Sequence, residues 1–184
     1  NQPSLDRIFD IVEINKFSEP ETKEFFIRAF GKVNVKVEDK ALDNLWFWSE
    51  GYPVFMHELG DAVFKQDSDD NIDSMDANLG TIRAVSVIGT KYIETKILTA
   101  IRSDNYRHIL TKIVGKLGYN FSRKEAIEHL SSSEMKVFDN FLRRMENLGV
   151  ILKDKNKDAG SYRFSSELYH LFFMLQAGPR SQSS

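Results

Sequence analysis

The amino-acid sequence predicts a mainly α-helical protein that carries one small β-hairpin near its C-terminus. Apolar residues recur at intervals of three and four through most of the 184 residues, which is the period of an amphipathic helix. Three Ser-x-x-Glu capping boxes mark helix starts, at Ser18, Ser122 and Ser131. After residue 149 the period changes, and two short apolar runs enclose a charged stretch, as in a β-hairpin.

The composition excludes several classes of protein. Hydrophobic residues make up 41 % of the chain, which is ordinary for a globular domain, and the absence of cysteine excludes disulfides and thiolate chemistry. No apolar run approaches the ~20 residues of a membrane-spanning helix, and no signal peptide opens the chain. We therefore expect a cytoplasmic protein without membrane contact. Because the sequence starts at Asn1 and not at Met, we also expect it to be a fragment or a processed product.

The first part of the chain alternates roughly between apolar and polar residues over 7–17, which predicts a short strand. A helix is predicted over 19–30, with Pro20 in its first turn and Gly31 at its end. Two more helices follow over 38–49 and 53–64. The apolar face of the first helix is expected to consist of Phe25, Phe26, Ala29 and Phe30.

An acidic stretch over residues 67–76 separates these helices from the next one. Asp67, Asp69 and Asn71 have the alternating spacing of an EF-hand calcium loop. Ile72 stands where that loop needs glycine, however, and Asn78 stands where it needs glutamate. We therefore expect a solvated linker and no metal. A helix or helix pair over 75–102, with Gly89 as a possible interruption, is predicted from the helical spacing of Leu79, Ile82, Val85, Ile88, Ile93, Ile97 and Ile101.

The second part has the element order of a winged helix-turn-helix. Helices are predicted over 105–117, from Ser122 to Leu130 and from Ser131 onward, followed by a hairpin of 150–152 and 161–164. A last apolar helix covers about 166–175. The third helix of this part is expected to bury Met135, Phe138, Leu142, Met145 and Leu148.

Charge is distributed unevenly along the chain, although the net charge is only −2. Up to Ser103 there are 12 basic and 18 acidic residues, whereas from Asp104 to Phe164 there are 12 basic and 8 acidic residues. A basic winged helix suits duplex DNA, because its third helix enters the major groove and cations neutralise phosphates. The expected DNA-binding residues are Arg123, Lys124, Ser132, Ser133, Lys136, Asn140, Arg143, Arg144, Lys153, Lys155 and Lys157.

Acidic residues leave a second interpretation open. Glu134, Asp139 and Glu146 lie on the same predicted helix, and Asp154 and Asp158 interrupt the lysines of the hairpin. A winged helix with this mixed charge also suits docking to a protein partner or a regulatory role.

No catalytic constellation is predicted within this chain. The four histidines lie in separate predicted helices, and none has a zinc-binding partner at i+4. Gly89-Thr90-Lys91 lacks the preceding glycine of a phosphate loop. We therefore expect no catalytic residue, no metal site and no cofactor here.

The whole order resembles the C-terminal half of an AAA+ ATPase, most of all the archaeal-type ATPases and their relatives among the origin-recognition initiators. The likeness is carried by RIFDIVEINKFSEPETKEFF, SEGYPVFMHELGDAVF and YRFSSELYHLFFML, and it extends over residues 5–176. It implies that residues 1–17 end an ATPase core, 18–102 form a helical lid, 103–176 form a winged helix and 177–184 form a disordered tail.

This resemblance also implies a nucleotide near the lid. In the family, the segment that matches SEGYP starts a helix facing bound ATP and magnesium, and Gly51, Tyr52 and Pro53 would lie near that nucleotide, with Arg7 on the last core strand. The arginine that initiators place on the phosphates is replaced here by Val54. The resemblance thus implies an ATPase whose lid couples nucleotide state to DNA engagement, with the missing core, and a second copy or another protein, as further partners.

Overall fold

The computed structural model describes residues 15–98, 100, 101, 103–155 and 157–177, and it is mainly helical with a small sheet. The predicted strand over 7–17 falls almost wholly outside these residues, as do Arg7 and the tail from residue 178. The elements are α1 (Glu19–Gly31), β1 (Lys36–Val37), α2 (Asp39–Ser49), α3 (Pro53–Phe64), β2 (Asn71–Ile72), α4 (Ser74–Ile88), a π-helical segment (Gly89–Leu98), α5 (Asp104–Lys116), β3 (Asn120–Ser122), α6 (Arg123–Ile127), α7 (Ser132–Met135), α8 (Phe138–Asn147), β4 (Ile151–Lys153), β5 (Ser161–Phe164) and α9 (Glu167–Ala177).

Helices α2, α3 and α4 pack together, and small residues let α3 and α4 approach closely. The buried face of α4 consists of Ala77, Gly80, Thr81, Ala84, Val85 and Ile88. Among the apolar residues whose spacing predicted this helix, Val85 and Ile88 are buried, whereas Leu79 and Ile82 are 47 % and 53 % exposed on the opposite side. The face toward α3 contains small residues because close helix contact requires them.

Helix α1 begins at the predicted capping box, where the backbone N–H of Ser18 donates to Glu21 Oε2 over 2.7 Å. Of the predicted apolar face, Phe26 and Phe30 are buried. Phe25 and Ala29 are exposed and line an apolar groove of about 300 Å³ between α1 and α3. Thr22 also lies on the side of α1 that faces α3, where it is fully buried beside Met56.

The acidic stretch is part of the fold and not a linker. Its Asn71–Ile72 strand pairs in parallel with Lys36–Val37, and the Ile72 side chain is fully buried. The Asp67 carboxylate accepts from the backbone N–H of Asn71 over 3.2 Å, and Asp73 caps α4. These aspartates therefore stabilise backbone turns.

The second part combines α5 to α8 with a three-stranded antiparallel sheet in the order β3-β5-β4. The predicted hairpin of β4 and β5 is confirmed, with Leu152 opposite Arg163. The strand β3 was not predicted, because its three residues are fixed by distant pairing with β5 and not by a local pattern.

The helix predicted from Ser131 onward is divided into α7 and α8 at Lys136–Val137. There the Val137 N–H donates to the Glu134 backbone carbonyl over 3.1 Å, which makes a tighter turn than an α-helix. Its buried face runs through Glu134, Phe138, Phe141 and Met145. Phe138, Leu142 and Met145 are buried as predicted, whereas Met135 was expected to be buried and is 42 % exposed, because α7 ends before α8 begins and buries Glu134 instead.

Helix α9 packs against elements of both parts, namely α2, α4, the π-helical segment, α5 and β5. Gly89 permits this packing, because a Cβ at that position would collide with the Phe172 ring. Phe164 of β5 packs against Phe173, with ring centroids 6.4 Å apart. One buried apolar cluster thus extends through both parts of the chain. Within the described ranges, no helix has the combination of length and apolarity needed to cross a membrane.

The contact of Gly80 with α3 gives a stability prediction. A Cβ on Gly80 would lie 2.5 Å from the Val63 Cα, so Gly80→Ala should lower the free energy of unfolding by about 1–3 kcal/mol. The matched control is Gly115→Ala on α5, where a Cβ meets nothing within 4 Å and alanine should stabilise by about 0.5–1 kcal/mol. Urea unfolding measures both, and a stabilising Gly80→Ala would contradict the packing of α3 on α4.

Candidate nucleic-acid interface

Helix α6, helix α8 and the β4–β5 hairpin are joined at one surface. The Arg123 N–H at the start of α6 donates to the Gly160 carbonyl over 2.8 Å, at the hairpin end that leads into β5. Lys153 of β4 forms a 3.4 Å ion pair with Glu146 of α8. The predicted DNA-binding residues therefore lie on neighbouring elements, namely α6, the α7–α8 region and the β4–β5 hairpin.

The orientation of α8 is fixed by its buried face, which follows a strict three- and four-residue period. Phe138 stacks on Phe141 with ring centroids 6.1 Å apart, and Phe141 meets the edge of Tyr106 of α5. The opposite face of the α7–α8 region therefore points to solvent. Its exposed residues are Ser132, Ser133, Lys136, Asn140, Arg143 and Arg144, all of which were predicted as DNA-binding residues.

An ion pair between the buried Glu134 carboxylate and the partly exposed Lys112 holds α7 against α5. Glu134 is only 3 % exposed, and its Oε2 lies 2.6 Å from Lys112 Nζ and 2.7 Å from the Ser131 backbone nitrogen. Burial opposes ionisation of Glu134, but the hydrogen bonds from Lys112 and Ser131 outweigh it and lower its pKa to about 2. Glu134 is therefore a structural residue, which explains one of the acidic positions on this helix.

Three of the predicted cations are engaged in contacts within the protein. Arg123 forms a bidentate pair with Asp139 of α8, with Nε–Oδ1 at 2.9 Å and Nη2–Oδ2 at 3.1 Å. This hydrogen bonding lowers the pKa of Asp139. Lys153 pairs with Glu146, and Arg144 Nη2 lies 3.5 Å from the Ala100 carbonyl.

The other predicted cations are exposed: Lys124, Lys136, Arg143, Lys155 and Lys157. Over the part of the chain that the structure describes, none of these five forms an ion pair. The surface therefore offers five solvent-facing charges and two cations held by surface carboxylates. The Asp139 partner of Arg123 could not be found from the sequence, because the two residues lie 16 positions apart on different helices.

The corner between α2 and α3, where a nucleotide was implied, has an unusual backbone. Glu50 and Gly51 both have positive φ angles, 47° and 72°. A Cβ on Gly51 would collide with the Phe17 carbonyl, and the Phe17 N–H donates to Gly51 O over 2.9 Å. Tyr52 lies under the Lys16 ammonium, which is 3.9 Å from the ring centroid.

The resemblance implies that Tyr52 and Pro53 lie beside a base and that Val54 replaces an arginine that meets phosphates. In the structure Pro53 begins α3, the Tyr52 ring contacts Lys16 and Phe55, and the Val54 side chain is 38 % exposed. Across the described residues, no cluster of three or more His, Asp or Glu could hold a metal ion.

Comparison with known proteins shows a likeness of fold. No family model matches the sequence, and no curated protein matches it either. Among solved structures, the Walker-type ATPase Paby2304 of Pyrococcus abyssi superimposes with a TM-score of 0.60 and 17 % sequence identity. The match covers 86 % of this chain and 42 % of that chain, so this chain spans less than half the length of its structural neighbour.

The Glu134 ion pair predicts a pH dependence of stability. Because the Glu134 pKa is about 2 in the folded protein and 4.5 in the unfolded chain, its contribution is complete above pH 4.5 and is lost as pH falls. Between pH 6 and pH 3 the contribution of Glu134 to the free energy of unfolding should fall by about 2 kcal/mol. Other carboxylates titrate in both the native chain and the variant, so the comparison of the two isolates Glu134. The difference in unfolding free energy between the native chain and Glu134→Gln should therefore shrink over this range.

Lys112→Met provides the matched variant, since it removes the same ion pair from the other side. Its difference from the native chain should shrink over the same pH range. A difference that stays constant from pH 6 to pH 3 in both variants would contradict the assigned role of Glu134.

Proposed function

We propose that residues 103–176 form a winged helix that binds duplex DNA, and that the chain is the C-terminal part of an AAA+-type P-loop ATPase. The observation that supports DNA binding is the shared surface of α6, α8 and the hairpin, with five solvent-facing cations. In this proposal α8 enters the major groove, where Asn140 and Arg143 face base edges. Lys155 and Lys157 of the hairpin contact the flanking backbone.

The proposal gives Arg123 a conditional role. Its guanidinium is held by Asp139 through the two parallel hydrogen bonds that a phosphate group would also accept. The Arg123 and Asp139 side chains are 45 % and 67 % exposed, and exposed ion pairs are weak. A DNA phosphate can therefore displace Asp139, and the pair keeps Arg123 oriented until that happens.

The ATPase part of the proposal rests on the sequence resemblance, and the fold likeness to a Walker-type ATPase supports it. ATP and magnesium would be held by a core outside residues 15–177, while Gly51, Tyr52 and Pro53 would border the base. Nucleotide-dependent movement of the lid, proposed to be residues 18–102, would then change the position of the winged helix. A bound nucleotide would supply the energy of that movement, and this chain would transmit it.

A second candidate function is docking of a protein partner by the same surface. The observation that favours it is the local charge balance, because Asp139 and Glu146 hold two of the predicted DNA-binding cations. A partner surface carrying both signs of charge would be complementary to such pairs. Duplex binding and its salt dependence distinguish the two candidates.

The first test is duplex binding by fluorescence anisotropy at several salt concentrations. For the native chain, log affinity should fall linearly with log salt, and Lys136→Glu/Arg143→Glu should give weaker binding and a slope shallower by about 2. The matched control is Lys32→Glu/Lys40→Glu, which reverses two exposed charges on the first part of the chain.

The control should change the slope little, since those lysines lie outside the proposed interface. If the native chain fails to bind duplex at low salt, or if both double variants have the same slope, the protein-docking function is favoured.

A second test concerns the Arg123–Asp139 pair. Asp139→Asn should strengthen duplex binding about two- to five-fold at low salt, because it releases Arg123 and removes a charge that repels phosphate. The salt slope should become steeper by up to about 0.9, the increment of one phosphate contact.

Asp43→Asn is the matched control, because Asp43 is an exposed partner of Lys23 on the first part of the chain. It changes net charge equally and removes a similar ion pair. Equal effects of the two variants would show a general charge effect and contradict a specific role for Asp139.

A further inference from the structure

Glu50 occupies a backbone conformation that glycine adopts more easily. It follows the last residue of α2 with φ 47° and ψ 27°, in the left-handed region, and its N–H closes the helix on the Trp46 carbonyl. Left-handed helix ends usually carry glycine, because a Cβ is disfavoured there. A glutamate at this position therefore suggests that its side chain has a separate role.

The Glu50 carboxylate connects two segments that are far apart in sequence. Its Oε1 accepts a 2.9 Å hydrogen bond from the backbone N–H of Glu167, the first residue of α9. Its Oε2 lies 3.3 Å from Lys16 Nζ. A carboxylate at a helix N-terminus both satisfies a backbone donor and interacts favourably with the helix dipole.

The surrounding contacts make the same connection. The Phe17 N–H is hydrogen-bonded to the Gly51 carbonyl, and the Lys16 ammonium lies over the Tyr52 ring. The Tyr52 ring contacts Phe55, and Phe55 contacts Tyr169 of α9, with ring centroids 5.2 and 6.1 Å apart. Polar and aromatic contacts thus both lead from residues 16–17 through the corner to α9.

We infer that Glu50 is a positioning residue that couples the segment before α1 to the docking of α9. Helix α9 packs on α5 and β5, so the coupling extends to the proposed DNA-binding part. The coupling itself depends on contacts within this chain. That it would transmit a change from an ATPase core to a DNA-binding surface rests on the proposed function.

Hydrogen exchange of the 184-residue chain tests the inference without DNA. Glu50→Gly removes the carboxylate and relieves the left-handed backbone, so α9 amides should lose about five-fold or more in protection while α1 amides change little. Asn34→Gly is the matched control, because Asn34 also has a positive φ of 62°. That variant should leave α9 protection unchanged or increase it.

If Glu50 served the turn alone, glycine would preserve or increase α9 protection, and that result would overturn the inference. Glu50→Gln provides a milder variant in case Glu50→Gly does not fold. It keeps an acceptor oxygen for the Glu167 N–H and loses the Lys16 ion pair, so it should give a smaller loss of α9 protection.

A double-mutant cycle with Lys16→Met separates coupling from simple helix capping. Lys16→Met should lower α9 protection in the native background and have no further effect beside Glu50→Gly. An unchanged α9 in the single variant, or full additivity in the double variant, would overturn the inference. A chain that shows this coupling but binds no duplex would contradict only the proposed function.

Discussion

The packing of α9 determines how the two parts of this chain are related. Its first residue is hydrogen-bonded to Glu50, and Phe172 fits against the π-helical segment because Gly89 has no side chain. On its other side, His170 and Phe173 pack on Phe164 of β5. The hairpin and α8 are therefore held relative to the α2–α3 corner by one helix, whose Leu168, Phe172 and Phe173 side chains are buried. This arrangement makes the corner and the candidate interface parts of one connected structure.

Much of the fold could be predicted from the sequence, because several helix starts are encoded locally. The capping boxes at Ser18, Ser122 and Ser131 each form in the structure as the sequence indicates. The apolar runs around a charged stretch likewise identified β4 and β5. The solvent-facing side of α8 was also predictable, since its apolar residues leave only one orientation for Asn140 and Arg143.

The remaining features depend on contacts between distant residues. The buried face of α7 and α8 includes Glu134 because Lys112 of α5 compensates its charge, and that pairing places Met135 outside. The Arg123–Asp139 and Glu50–Glu167 contacts have no local pattern either. The exposure of the residues proposed for the interface could therefore be predicted from the sequence, whereas the acidic partners of its cations follow from packing.

The central claim is that the exposed face of the α7–α8 region and the hairpin form a nucleic-acid surface. The most direct test is to titrate the chain with a short duplex and to map the changes in its backbone amide chemical shifts. Perturbations should concentrate at Lys136, Asn140 and Arg143 and at the hairpin lysines, with small changes in α1. Perturbations confined to the apolar groove between α1 and α3, or none at low salt, would contradict the account.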